Sequence, residues 1–367
     1  MDKDNDKRNK ITIFTIFASN YGAILQAFAL QKYIKLKHPE QEVYLCNSFG
    51  ETKPDFFSRK YSPSGFKNVL IKGLVAFRYG SLVRSYRRKE QFKKEEFQLC
   101  TLEDIKGSSL YLTGSDQVFN PTVPKREVFF QDFSKDDAIK AAYAPSFGVE
   151  SFPNNFVSYV KPLLVDFDYL SCREQSGADF IASITGKTVP HVCDPTLLLS
   201  SDIWHFVASR NKYGKYIFIY DLNGGQNLID IALVYKRITN LKIVCLTQKP
   251  QRFYKGVDYQ IYDSGPREFV GLFENAQYVV TDSFHGLMFS LIFNRPFSLH
   301  IASKQTASRI LEVVHQLGIE DSVLSSSDNT NELPKAMSQD TISKLSAFIN
   351  NSKSFINSVL DNACSKS

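Results

Sequence analysis

The hydrophobic period of this chain changes repeatedly. ITIFTIF, residues 11 to 17, is a short apolar run; behind it Ile24, Leu25, Ala27, Phe28, Leu30, Tyr33 and Ile34 recur at three- and four-residue steps, and EVYLCN returns to a short β-rich run. Apolar residues three and four apart share one face of a helix, whereas a brief apolar run bounded by turn-formers suits a strand. A helix between two strands carries the chain back to the end of the sheet at which the first strand began. Successive strands therefore run parallel, and helices cover both faces. SLYLTG, KAAYAPSF and KTVPHVC extend the first series. After DPTLLLS the rhythm restarts with the helical SDIWHFVAS, and KYIFIYDL, LKIVCLTQ, QYVVTD and PFSLHI form a second series of strands. The fold class expected is α/β, with two doubly wound Rossmann-like domains facing a cleft. The first domain is expected over residues 1–205 and the second over 206–367. A polar loop is expected over IEDSVLSSSDNTNELPK, and the closing amphipathic stretch MSQDTISKLSAFINNSKSFINSVL is expected as a helix able to pack back on the first domain.

A length of 367 residues with 43% hydrophobic composition supports two cores rather than one. The polar MDKDNDKRNK shows no basic-then-apolar leader, and no apolar stretch approaches the roughly 20 residues of a membrane span, so a cytoplasmic protein is expected. The six cysteines show neither CxxC nor His-paired spacing, and Cys46, Cys193 and Cys245 stand in strand-like runs, which favours reduced core residues over a metal or disulfide role. A net charge of +6 is mild for this length and gives no sign of a nucleic-acid partner. It is unevenly spread, however. RSYRRKEQFKKE, residues 84 to 95, could touch an anionic surface such as the inner face of a membrane, or could simply be a solvated helix face.

In doubly wound sheets, ligands bind just outside the carboxyl ends of the strands, so the segments that follow strands carry the chemistry. Asn20, Tyr21 and Gly22 open the first helix, where backbone N–H groups and the helix dipole favour an anion, although Gly22 also suits a plain tight turn. In GSDQVFNP, Asp116 is placed to orient or deprotonate a substrate hydroxyl, with Gln117 beside it. Arg173, in SCREQSG, offers a guanidinium suited to carboxylate or phosphate, or else an ordinary ion pair with Glu174. TDSFHG places His285 at a strand-to-helix turn, with Asp282 or Ser283 as the cap; a buried structural histidine fits there as well as a reactive one. Lys304 and Arg309 follow the next strand. Together with Arg173, these cations suggest a small, highly anionic ligand.

NYGAILQAFAL, GSDQVFNP, YAPSFG, SCREQSG, DPTLLL and TDSFHGLMFSLIFNRPF occur in that order, and from about residue 11 to about 320 the chain resembles the polysaccharide pyruvyl transferase family. The resemblance implies a glycosyltransferase B-type architecture, with the first domain on the acceptor side and the second on the donor side. It also implies transfer of the pyruvyl group of phosphoenolpyruvate onto sugar hydroxyls, usually as a ketal, in surface polysaccharide assembly. No metal or organic cofactor is implied. Phosphoenolpyruvate would be the donor and a nucleotide- or lipid-linked sugar or a glycan the acceptor. His285 would act as general acid, with Asp116 as the second catalytic residue. Arg173, Ser283, Lys304, Arg309, Asn20, Tyr21, Gly22, Gln117 and Ser146 (in YAPSFG) would line the binding site. The chain departs from the family at Ser283, where an arginine is frequent two residues before the histidine; Lys304 or Arg309 is the expected substitute. Two alternatives stay open, a B-type glycosyltransferase with a nucleotide-sugar donor and an inactive glycan-binding protein.

Overall fold

A computed structural model describes residues 9–17, 20–47, 69–123, 126–133, 137–149, 151–210, 212–223, 225–249, 252–301, 304–324 and 332–365, the side chains of 69–77, 126 and 304–307 excepted. Part of the polar loop expected after residue 318, namely 325–331, lies outside the described residues. The chain divides into two compact units. The first gathers the described parts of Met1–Glu51, Glu96–Leu199 and Ser343–Ser367; the second gathers those of Thr52–Glu95 and Ser200–Ile342. The chain thus crosses between units more than once, and residues 78–95 belong to the second unit although they lie early in the sequence.

In the first unit, β1 (Lys10–Phe14), β2 (Glu42–Cys46), β3 (Leu99–Cys100), β4 (Leu110–Thr113), β5 (Ile139–Ala142) and β6 (Tyr169–Leu170) form one sheet in the order β3-β2-β1-β4-β5-β6. Every pairing is parallel. Ile11, Ile13, Val43, Leu45, Leu110 and Leu112 are fully buried, as parallel strands covered on both faces require. Helix α1 (Tyr21–Lys37) is buried almost all round: Ala23, Ile24, Leu25, Ala27, Ala29 and Leu30 are each at most 1% exposed. On the far side Phe119 stacks on Phe130, and Phe147 packs edge-on against Phe156 and Phe180.

The second unit repeats the plan with β7 (Tyr216–Asp221), β8 (Lys242–Thr247), β9 (Tyr259–Ile261), β10 (Tyr278–Thr281), β11 (Phe297–His300) and β12 (Val323–Leu324), all parallel, in the order β12-β11-β10-β7-β8-β9. Counted from its own first strand, this is the same order as in the first sheet. Helix α2 (Val69–Glu96) packs here: Ser85 donates to the Ser264 carbonyl at 2.6 Å, and Gly265 allows the backbone to pass because a Cβ there would stand 2.6 Å from the Arg88 Cβ. The basic run is largely engaged within its own unit. Lys89 is buried, Arg84 and Arg88 face Asp263, and Lys93 pairs with Glu90. Arg87 and Lys94 remain at the surface.

The strand expected over KTVPHVC is not formed. Pro190 has no N–H to give a ladder, and among the described residues this segment makes a single bridge, Cys172 to His191, before a 3-10 turn at Pro195–Leu198. Gly22 is not a turn residue either; it lies in the first turn of α1, behind its cap Asn20, whose side chain accepts from the Gly22 N–H at 2.8 Å. Cys46, Cys193 and Cys245 are free and buried.

The closing helix α10 (Gln339–Ser365) joins the first unit along its C-terminal part. Tyr33 donates to Asn357 at 2.9 Å, and the fully buried Ser352 hydroxyl accepts from the Cys193 N–H at 2.8 Å. Removing that hydroxyl strands a buried donor, so Ser352→Ala is expected to cost about 1–3 kcal/mol, against about 0.5 kcal/mol or less for Ser354→Ala on the exposed side. Urea unfolding of both variants checks this; equal midpoints would mean that α10 does not hold its place through this bond.

Candidate active site

A parallel sheet that starts in its middle and grows first one way and then the other leaves a crevice where the order reverses. In the first sheet this lies between β1 and β4, and in the second between β7 and β10. The segments at these two points, together with those that follow the neighbouring strands, contain most of the residues singled out in the sequence.

In the first unit the turn after β4 is held in a sparsely populated conformation. Asp116 has φ 71°, in the left-handed region, at a cost on the order of 1–3 kcal/mol that surrounding contacts must offset. They do so through its backbone and side chain: its carbonyl accepts from Val118 N at 2.7 Å and Ser146 N at 2.9 Å, and its carboxylate accepts from Gln117 N at 2.9 Å. Asp116 and Gln117 stay partly open to solvent. Ser146 does not. It is fully buried and gives its hydroxyl to the Glu174 carboxylate.

Arg173 is also enclosed, with 4% exposure. Its guanidinium bonds to the buried Asp194 at 3.0 Å and lies 3.9 Å from both Glu174 and Asp116. Burial alone would lower its pKa, but the charges of Asp194, Glu174 and Asp116 outweigh burial and raise it. Asp194 in turn caps the 3-10 turn through Thr196 N at 3.0 Å. The ordinary ion pair weighed for Arg173 is thus present in an enlarged form, with three acids around one cation. The sequence did not disclose this cage, because Asp116 and Asp194 lie far from Arg173 along the chain.

In the second unit, TDSFHG forms the turn from β10 into α8 (Phe284–Ile292), and most of its polar groups have structural work. Thr281 donates to the Tyr220 carbonyl of β7 at 2.9 Å and accepts from Ser283 N at 3.2 Å. Asp282, 1% exposed, accepts from Leu222 N and Asn223 N, both at 2.9 Å, and so ties the segment after β7 to the segment after β10. Burial raises the pKa of its carboxyl, a shift that these two N–H groups oppose and that the nearby Asp221 reinforces. Ser283 is the cap of α8, its hydroxyl accepting from Gly286 N at 3.4 Å. Gly286 cannot be larger, since a Cβ would lie 2.3 Å from the Thr281 hydroxyl oxygen. His285 therefore stands in the first turn of a helix whose start is fixed on all sides. It is 9% exposed and edge-on to the Phe284 ring.

Two cations missed in the sequence belong near this turn. Lys249, two residues beyond β8, has its pKa lowered by burial and by Arg252, while Asp221 and Asp282 pull it the other way. Arg252 reaches Tyr254, which donates to Asp221 at 2.5 Å. A cation just after a strand end, in LTQKP, was the available signal. Arg309 is half-buried on α9 (Lys304–Leu317), and Lys304 begins that helix. His300, at the end of β11, is occupied structurally between Asn227 and the Leu324 carbonyl.

The family model described as polysaccharide pyruvyl transferase matches residues 20–302. No curated protein matches the chain. Among solved structures, Medicago truncatula UGT71G1 complexed with UDP-glucose is similar over 98% of this chain and 99% of its own, with 11% identity and a TM-score of 0.50, a likeness of fold. UDP-GlcNAc 2-epimerase from Neisseria meningitidis bound to UDP-GlcNAc covers 97% of this chain and 93% of its own, at 10% identity and a TM-score of 0.46.

The cage around Arg173 makes a sharp prediction. Taking away the cation leaves buried carboxylates uncompensated, so Arg173→Ala is expected to lose about 3–5 kcal/mol of stability. Chemical denaturation followed by circular dichroism measures this. A variant as stable as the parent would show that the guanidinium is not needed by its acids and is available to a ligand.

Proposed function

Because the chain belongs to the polysaccharide pyruvyl transferase family, we propose that it moves the pyruvyl group of phosphoenolpyruvate onto sugar hydroxyls, forming a ketal on a nucleotide- or lipid-linked sugar or a glycan. The observation that carries the reading is the placement of His285 in the first turn of α8, at the order reversal of the second sheet. The positive end of a helix dipole favours an anion there, and an imidazole can exchange a proton with it. Lys249, Arg252 and Arg309 supply cationic charge of the kind a donor with both carboxylate and phosphate requires. Ser283 is engaged as a cap, so the charge that an arginine contributes at this position elsewhere in the family is assigned here to those cations.

In the proposed reaction His285 gives its proton to the methylene carbon of the donor, which becomes a methyl group, and positive charge develops on the adjacent carbon. A sugar hydroxyl oxygen attacks that carbon and its proton passes to a base, for which Asp116 is the candidate. The carbon–oxygen bond to phosphate then breaks and inorganic phosphate leaves. A second hydroxyl of the same sugar attacks, loses its proton, and closes the ketal. Asp116 suits the base role better than Glu174 or Asp194, because those two are buried against Arg173 whereas Asp116 stays partly open. Arg173 is assigned the holding of Asp116 rather than direct capture of the donor.

His285→Gln keeps a planar polar side chain in the turn but removes the transferable proton. It is expected to lower the rate of phosphate release by roughly 10²- to 10⁴-fold with little change in melting temperature. Single-turnover phosphate release, with mass spectrometry of the acceptor for a gained pyruvyl group, checks both activity and product. A less stable variant with full activity in its folded fraction would make His285 a structural residue. Turnover of a nucleotide sugar with no use of phosphoenolpyruvate would overturn the donor assignment.

A further inference from the structure

The first unit brings two helix ends together. His38 caps the C-terminus of α1, Glu40 follows two residues later, and Asp361 and Cys364 lie three apart in the last turns of α10. The His38 Nδ1 lies 3.2 Å from a Glu40 carboxylate oxygen and 3.6 Å from the Cys364 sulfur, and its Nε2 is 3.6 Å from the Asp361 carboxylate. The ligand atoms of His38, Glu40 and Cys364 all lie within 4.8 Å of one another.

We propose that His38, Glu40 and Cys364 bind a divalent transition metal ion, zinc by preference, with Asp361 orienting the imidazole from behind. The distances carry this assignment. With bonds of about 2.0–2.2 Å to nitrogen and oxygen and about 2.3 Å to sulfur, a tetrahedral ion sets its nitrogen and oxygen ligands about 3.4 Å apart and its nitrogen and sulfur ligands about 3.6 Å apart. The observed 3.2 and 3.6 Å lie close to both values. A hydrogen-bond cluster explains them less well. Nδ1 carries either one proton or one lone pair, so the carboxylate and the thiol must split a single weak bond between them, whereas a metal ion is shared by all three.

Two further features favour a cation here. His38 is the C-cap of α1, and Asp361 and Cys364 lie in the last turns of α10, so the cluster sits at two helix C-terminal ends, where the dipole favours a cation; Lys35 and Lys37 in the last turn of α1 offset this in part. A carboxylate behind the second imidazole nitrogen is the usual support of a metal-bound histidine. Neither Glu40 nor Asp361 is deeply buried, which leaves the remaining coordination position to water. Thiolate, imidazole and carboxylate in one set suit zinc or cobalt(II) better than calcium or magnesium, which take oxygen ligands. The ion would act as a clip, fastening the end of α10 to the end of α1 apart from the transfer chemistry.

The test uses the full chain stripped with a chelator and titrated with cobalt(II). The proposal expects a thiolate-to-cobalt charge-transfer band that saturates at one equivalent, is displaced by zinc and is absent in Cys364→Ser. It also expects zinc to raise the melting temperature of the parent but not of His38→Ala or Cys364→Ser. Absence of the band from the parent, or its undiminished persistence in Cys364→Ser, would overturn the site. So would an equal zinc-induced rise in all three proteins.

Discussion

The carboxylate of Asp282 is the contact on which the donor-side reading depends. In a doubly wound sheet the two segments that leave the order reversal diverge to opposite faces, and nothing in the sheet itself joins them. Asp282 joins them, accepting one backbone N–H with each oxygen from Leu222 and Asn223. Its burial is unfavourable to charge, and those two donors are what make a carboxylate tolerable there. With the turn so fixed, Ser283 caps α8, Gly286 closes against Thr281, and the backbone that carries His285 is held in place. An imidazole in the first turn of a helix is a useful proton donor only if its position is set before substrate arrives.

The first unit solves a related problem by adding buried charge to backbone bonds. Arg173 gathers Asp194, Glu174 and Asp116, three acids from separate parts of the chain, and the left-handed Asp116 turn is built over that cage. Two of these acids are spent on structure. Asp116 keeps an open side, and this difference in exposure is why it alone is assigned a part in the chemistry.

How much of this was legible in the sequence follows from the range of each interaction. The alternation of periods showed two doubly wound domains, because long strands such as KYIFIYDL and a helix such as α1 announce themselves locally. The two- and three-residue edge strands, β3, β6, β9 and β12, are too short to leave a period, and Pro190 sat in a β-rich run that forms only one bridge. The place of His285 was legible because its turn lies within six consecutive residues. The cage around Arg173 was not, since its partners come from residues 116 and 194, nor was the convergence of His38 and Cys364, 326 positions apart. Lys89 shows the same limit from the other side. It reads as a solvated charge in a basic run, yet it is 5% exposed, and burial brings its pKa down to about 7.

The most direct test of the account is a crystal structure of the chain with phosphoenolpyruvate. The phosphate or carboxylate of the donor is expected at the N-terminal turn of α8, within hydrogen-bonding distance of His285, with the Asp282 bonds to Leu222 and Asn223 intact. Donor bound at the start of α1 instead, or an imidazole turned away from it, would contradict the assignment of the second sheet's order reversal as the donor site.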